Sequence, residues 1–408
     1  MQYSLYRHWS NINLLMNYSI YIHIPFCIQR CHYCDFNTYA GKESLIPDYI
    51  DALVEEIRIV SEYISKFPVH SIYLGGGTPS LIPVSEYQKL FKALFELTSI
   101  VEKCEISLEA NPGTVSLPYL TGLRALGFNR ISFGIQSTSA SDLIRLGRTH
   151  TLDDILDAIV FARRAGFHNI NLDMINHLPW QDLTAWKNSL SRAVALAPEH
   201  FSIYSLMIEP GTSLHDWYQR GLVTPPDEDL GADMYEFTMD YLDRAGYEHY
   251  EISNWAKLTG ENQFRCLHNM QYWLNQPYIG LGAGAHGYIS SIRTENVPSI
   301  EKYMARMREI SKLRVVSPET PATINSIPID EITQMKDSMW LALRLVKDGV
   351  SLDQFERSFG YSVLEVFKDQ IEELLLLGLI EWGGLTQSSL KLTRRGIMVA
   401  NQVFLRFI

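Results

Sequence analysis

From residue 19 to about residue 207 the chain alternates short apolar, β-branched runs with amphipathic stretches. The runs at 19–24, 71–74, 105–109, 130–135, 169–174 and 201–206 predict strands. Helical periodicity occupies 47–65, 84–97, 118–126, 152–165 and 183–196, each stretch ending near Gly, Pro or a polar cluster. Strand–helix repetition of this kind calls for parallel strands joined by right-handed crossovers. Six units give a curved sheet, either an open (β/α)6 barrel or a doubly wound α/β sheet. Periodicity alone does not choose between them.

The pattern changes after Pro210. Thr224-Pro225-Pro226-Asp227 marks a break, 229–245 predicts a helix ending at Gly246, and 250–255 another strand. Residues 263–288 are rich in aromatics, Gly and His, and three prolines within 317–328 predict a linker. Helical periodicity returns at 337–346, 351–359 and 362–377. A hairpin at 379–382 and 389–392 follows, then a helix from Arg394. Helices followed by a small hairpin resemble a winged helix, read here as a packing domain. The predicted division is an N-terminal extension (1–18), the strand–helix unit (19–215), a further segment (216–316), the linker (317–328) and the C-terminal domain (329–408).

A chain of 408 residues is long enough for two or three domains. Five cysteines in that length, three of them clustered, do not make a disulfide framework. They fit a reducing, cytoplasmic setting. The net charge of −11, with no Lys/Arg-rich run, argues against a nucleic-acid partner. No apolar run reaches the roughly 18 residues of a membrane helix. The first residues make a poor signal peptide, and Met16 offers a second start, so 1–15 read as an upstream extension or an N-terminal arm.

Candidate chemistry concentrates in YIHIPFCIQRCHYCDFN, residues 21–37. Cys27, Cys31 and Cys34 follow the first predicted strand at C-x3-C-x2-C spacing, close enough to turn three thiolates toward one point. Structural zinc would need a fourth ligand, which His32 or Asp35 can supply. An iron–sulfur cube would take three cysteines and leave one iron open. Buried thiols are the plain alternative. Gly75-Gly76-Gly77-Thr78 follows the second strand, where glycine lets backbone approach a ligand. Glu109, Gln136, Arg148 and Asp173 all fall at or soon after strand ends, which converge on one mouth in a barrel. Their carboxylate, amide and guanidinium groups suit ribose hydroxyls and an amino-acid ligand.

The cysteine spacing, with Phe36 soon after the third cysteine, resembles the cluster loop of the radical S-adenosylmethionine (SAM) superfamily. YIHIPFC-x3-C-x2-C-DF, GGGTPS, EANPGT, NRISFGIQS, LGRTH and HNMQYW resemble the anaerobic coproporphyrinogen oxidase (HemN) group. Within that group the haem-chaperone (HemW) branch is most similar. Asp35-Phe36 stands where the oxidases have a further cysteine, the long N-terminal arm of the oxidases is lacking, and His268-Asn269 precede Tyr272-Trp273. The resemblance implies an open radical-SAM barrel with a C-terminal winged-helix-like domain. It implies a [4Fe-4S] cluster on Cys27, Cys31 and Cys34, and SAM among Tyr21, Gly76, Gly77, Thr78, Glu109, Gln136, Arg148 and Asp173. It also implies haem, with His268 the leading iron ligand and a core histidine the alternative. Cys266 reads as a buried structural thiol.

The function so implied is a cytoplasmic haem chaperone that passes haem to acceptor haem proteins, with peripheral membrane contact during delivery. The alternative is an oxygen-independent coproporphyrinogen III oxidase, and a third reading is a radical SAM enzyme with another substrate. His177 and Trp180 depart from the group's pattern by replacing two glycines, and Leu267 stands where an arginine commonly precedes His-Asn. A bulky pair at 177 and 180, near the barrel mouth, is expected to narrow access or reorganise that loop.

Overall fold

The computed structural model describes residues 17–65, 67–224, 227–258, 264–309, 318–384 and 387–408. The stretch 1–15, the start at Met16, Pro225, Pro226 and Ser317 lie outside the described residues.

Six strands lie side by side in sequence order, each parallel to the next. They are β1 (Tyr18–Ile24), β2 (Pro68–Gly76), β3 (Ser99–Ala110), β4 (Arg130–Gln136), β5 (Ile170–Asn176) and β6 (His200–Ser205). A doubly wound sheet reverses its strand order at a switch point. No reversal occurs between β1 and β6, so the winding is that of a barrel. Helices Ile46–Ile64, Val84–Leu97, Leu117–Ala125, Leu152–Arg164 and Leu183–Ala195 carry the crossovers. Their starts are written locally: Thr151 and Asp154 form a capping box, and Asp182 accepts from the Ala185 N–H.

Side chains two apart on a strand share a face. One face presents Ile20, Ile22, Ile72, Leu74, Ile131, Phe133 and Leu172 to helix residues such as Leu53, Leu90, Ile155 and Leu190. The opposite face turns Tyr21, Tyr73, Glu109, Gln136, Asp173 and Ser202 into the barrel. Burial of the first face holds the sheet under its helices, and the lumen is left polar.

The sheet continues past both edges of this unit. A hairpin of β7 (Tyr247–Glu251) and β8 (Asn254–Lys257), where one strand was expected, adds antiparallel to β6. On the other side β9 (Tyr278–Leu281) pairs with β1 in parallel. β10 (His286–Ile289), β11 (Ile292–Asn296) and β12 (Thr323–Pro328) follow antiparallel. The twelve strands end at β12 and β7, so the sheet is open. Half of the expected linker is therefore the edge strand β12. Its last residue, Pro328, sits where a strand tolerates a missing N–H.

The C-terminal part has its own core, from Met335 to Phe407. Helices Glu331–Ala342, Leu352–Phe359 and Val363–Leu376 pack with a three-stranded sheet of Val350–Ser351, Ser389–Leu392 and Ile380–Gly383, the arrangement of a winged helix. The first of these helices begins earlier than expected because Asp330 caps it, accepting from the Thr333 N–H. Several side chains fasten this unit to the barrel, among them Arg293, which pairs with Asp337 at 2.6 Å, and Arg394, which pairs with Asp240 at 2.7 Å. Arg344 lies 4.1 Å over the Trp273 ring and 3.6 Å from the buried Glu251 carboxylate. Arg265 bridges Glu248 and Asp348.

Candidate cofactor site

The three cysteines sit over the C-terminal ends of the barrel strands. Cys27 ends the short strand Phe26–Cys27, which pairs with Tyr39–Ala40. Backbone bonds pin the loop: His32 N–H donates to the Leu146 carbonyl, and Leu214 N–H to the His32 carbonyl. The His32 ring lies edge-on to Trp217 at 4.7 Å, and its Nδ1 is 3.0 Å from the Arg145 carbonyl. His32 thus anchors the loop. No three His, Cys, Asp or Glu side chains converge on a single metal ion among the described residues. A cube, in contrast, takes each cysteine on its own iron.

Beside the cysteines lies a cavity of about 510 Å³, within the usual range for ligand sites. Cys27, Cys31, Cys34, Tyr21, Gly76, Gly77, Thr78, Glu109, Gln136, Arg148, Asp173 and His268 all line it. Two of the glycines are required by geometry. Gly76 has φ of +111°, and a Cβ on Gly77 would stand 2.6 Å from the Phe26 carbonyl oxygen. The glycine turn thereby brings backbone N–H groups against the cluster loop, with Thr78 N–H donating to the Phe26 carbonyl at 2.7 Å. The Thr78 hydroxyl donates to Cys27 Sγ at 3.5 Å. Arg148 reaches Cys31 Sγ at 3.4 Å and the Gly134 carbonyl at 2.7 Å, while its buried Nε has no partner.

Two carboxylates face one another's charge in the lumen. Glu109 accepts from the Tyr73 hydroxyl at 2.9 Å and the Gly76 N–H at 3.0 Å. Burial, and then the nearby Asp173, push its carboxyl up to about 7. Asp173 accepts from the Ser132 hydroxyl and the Asn171 amide, both at 2.7 Å, and burial raises it as well. Neighbouring carboxylates with raised values are poised for a cationic ligand. The lumen thus offers anionic side chains and a half-satisfied guanidinium. These fit the sulfonium, amino, carboxylate and ribose groups of SAM, beside thiols suited to a cluster.

His268 is the second residue of the helix Leu267–Trp273, whose first N–H groups are held by Glu105. The ring lines the cavity but is only 1% exposed, stacked 5.1 Å from Tyr73. Nδ1 is 2.9 Å from the Ser71 hydroxyl and Nε2 is 2.8 Å from the Tyr272 hydroxyl. Burial lowers its pKa to about 3. An iron at Nε2 would have to displace Tyr272. Trp273 is under Arg344, away from the lumen, so only Tyr272 of the pair lies at the cavity. Cys266 is buried, with Sγ 3.6 Å from Glu105.

The departures at 177 and 180 point elsewhere. His177 has φ of +60°, a conformation that favours glycine, and its ring packs over Gly231 and bonds the Asp227 carbonyl. Trp180 donates to Asp142 and packs under Arg145. Neither lines the main cavity, so the expected narrowing of the mouth does not occur through them. Sequence reasoning passed over Arg130, Tyr73, Asn171 and Ser202, which also line it. Their signal was alternation, since Asn171 stands two residues before Asp173 and Arg130 six before Gln136.

Residues 21–189 match the model of the Radical SAM superfamily, and residues 329–399 match the HemN C-terminal domain. The "Heme chaperone HemW" of Lactococcus lactis is 35% identical over 390 residues, 96% of this chain and 97% of the relative. That of Bacillus subtilis is 35% identical over 96% of this chain and 99% of its own length. That of Escherichia coli is 39% identical over 67% of this chain and 70% of its own. Among solved structures, coproporphyrinogen III oxidase (HemN) from Escherichia coli superimposes with a TM-score of 0.80 at 21% identity. That match covers 96% of this chain and 90% of the oxidase, a likeness of fold. With identity of this order along nearly its whole length, the chain belongs to the HemW family of heme chaperones, and its barrel is a radical SAM domain.

Proposed function

We propose that the protein binds haem and transfers it to acceptor haem proteins, using a radical-SAM barrel as its scaffold. The observation that carries this reading is the mouth of the cavity. Phe36 lines it, 61% exposed, where the oxidase branch has a further cysteine. Ile28 and Met207 are also exposed apolar side chains lining the same cavity. An apolar rim suits a porphyrin face, and a few polar anchors suit its propionates.

Cys27, Cys31 and Cys34 would hold a [4Fe-4S] cluster, with SAM bound beside it in the lumen. Such a cluster supplies one-electron chemistry when bound. Glu109 receives a ligand ammonium together with the Gly76 and Gly77 backbone, and Asp173 receives ribose hydroxyls. Tyr21, Thr78 and Gln136 bound the ligand, and Arg148 holds charge beside Cys31. His268 is the imidazole available to haem iron once Tyr272 gives way. Transfer is read as cytoplasmic, with peripheral contact when an acceptor lies at a membrane. No helix among the described residues is long and apolar enough to cross one.

The oxidase reading makes a different demand on the same site: SAM cleavage coupled to loss of carbon dioxide from propionates. Anaerobically reconstituted protein, given SAM and reductant, is expected to leave coproporphyrinogen III unchanged. Robust formation of protoporphyrinogen IX would overturn the chaperone reading.

A further inference from the structure

Arg130, the first residue of β4, is 2% exposed and lines the main cavity. Among the described residues its guanidinium makes no hydrogen bond and no ion pair, and its Nε is buried without a partner. The other guanidiniums set into the interior are all engaged. Arg148 bonds the Gly134 carbonyl, Arg265 pairs with Glu248, and Arg344 faces Glu251. The acids around Arg130 have their own donors. Glu105 takes the Leu267 and His268 N–H groups, and Asp173 takes Ser132 and Asn171. Burial works against the charge on Arg130, yet a guanidinium stays protonated inside a protein.

A buried guanidinium with five donors and no acceptor is a demand for an anion. Its planar fork matches a carboxylate two-pronged. We propose that Arg130 anchors a carboxylate of a ligand held in the barrel lumen. This rests on the reading that the cavity takes SAM and haem, which each bring such a group: the amino-acid carboxylate of SAM and the propionates of haem. An anchor here fixes the depth to which the ligand enters and disfavours ligands whose carboxylates are blocked.

The test compares ligands with and without the carboxylate in wild-type and Arg130→Gln protein, reconstituted anaerobically. The pairs are SAM against decarboxylated SAM, and haem against haem dimethyl ester. The quantity read is the affinity ratio within each pair, wild type divided by variant. Removing a charge-assisted bond is expected to change that ratio about tenfold or more in one pair. The responding pair names the source. A change under threefold in both pairs overturns the proposal, and a change of threefold or more in either supports it. If Arg130→Gln does not fold, Arg130→Lys, which keeps the charge without the fork, is read by the same threshold. If wild-type protein binds no haem, the haem reading fails and the SAM pair alone decides the role of Arg130.

Discussion

The Tyr272 hydroxyl lies 2.8 Å from Nε2 of His268, on the same helical face four residues on. The nitrogen best placed for iron is therefore guarded by its own motif. Tyr272→Phe removes the guard without removing bulk. If His268 ligates haem, this variant is expected to bind haem several-fold tighter, and His268→Ala to weaken binding or shift the Soret band. Because the His268 pKa lies near 3, protonation does not compete with iron until pH falls close to that value. Haem affinity is thus expected to stay flat between pH 8 and pH 5, as a Soret titration at each pH checks. A loss centred near pH 6.5 would point to another, exposed histidine.

The cluster loop depends on a close backbone approach as well as on thiols. Replacing Cys27, Cys31 or Cys34 by Ala is expected to abolish the [4Fe-4S] spectrum. Gly77→Ala is expected to lower iron content too, because its Cβ meets backbone oxygens of Ile24 and Phe26 that no rotamer change can move. Iron and sulfide analysis after anaerobic reconstitution checks both. Stoichiometric zinc with no iron contradicts the assignment.

Glu109 carries a pH signature. Its folded pKa, near 7, exceeds the usual carboxylate value, so the folded state binds more protons than the unfolded one between about pH 4.5 and 7. Stability of the ligand-free protein is then highest below that window and falls as pH rises through it, by about 3 kcal/mol at most. Denaturant midpoints measured from pH 5 to 8 should show the decline, and Glu109→Gln should flatten it. SAM, bringing positive charge, is expected to bind more tightly above pH 7 than at pH 5.5. Asp173→Ala should weaken SAM about tenfold to a hundredfold while leaving iron content unchanged, which calorimetry reads.

Arg344 is one of the charged contacts in the seam between the barrel and the C-terminal unit. Its removal strands the fully buried Glu251, which retains the Ser253 N–H and the Asn254 amide. Arg344→Ala is expected to destabilise the protein by about 3 kcal/mol. Adding Glu251→Gln should recover part of the loss, because a neutral amide is cheaper to bury than an unpaired charge. Equal midpoints for the single and double variants would show that stacking on Trp273, rather than charge, holds the seam.

Much of the barrel was legible because its strands and helices carry their own periodicities. All six expected strands are present, and the cavity gathers the cysteine loop, the glycine turn and the strand-end polar residues. The less legible parts depend on partners distant in sequence. β12 looks like a linker because Pro318 and Pro321 before it and Pro328 at its end break local pattern, and only pairing with β11 makes it a strand. The hairpin of β7 and β8 needs β6 as a template. The polar lumen was legible at strand ends but not deeper. Arg130 and Asn171 differ from ordinary strand residues only through what faces them. Trp273 sits one residue from Tyr272 in the same motif, yet its role is set by an arginine more than seventy positions away.

The most direct measurement is a Soret titration of the reconstituted protein with haem. The account predicts saturable binding with a shifted Soret band, altered by Tyr272→Phe and diminished by His268→Ala. A titration that shows no saturable haem binding to folded, cluster-loaded protein would contradict it.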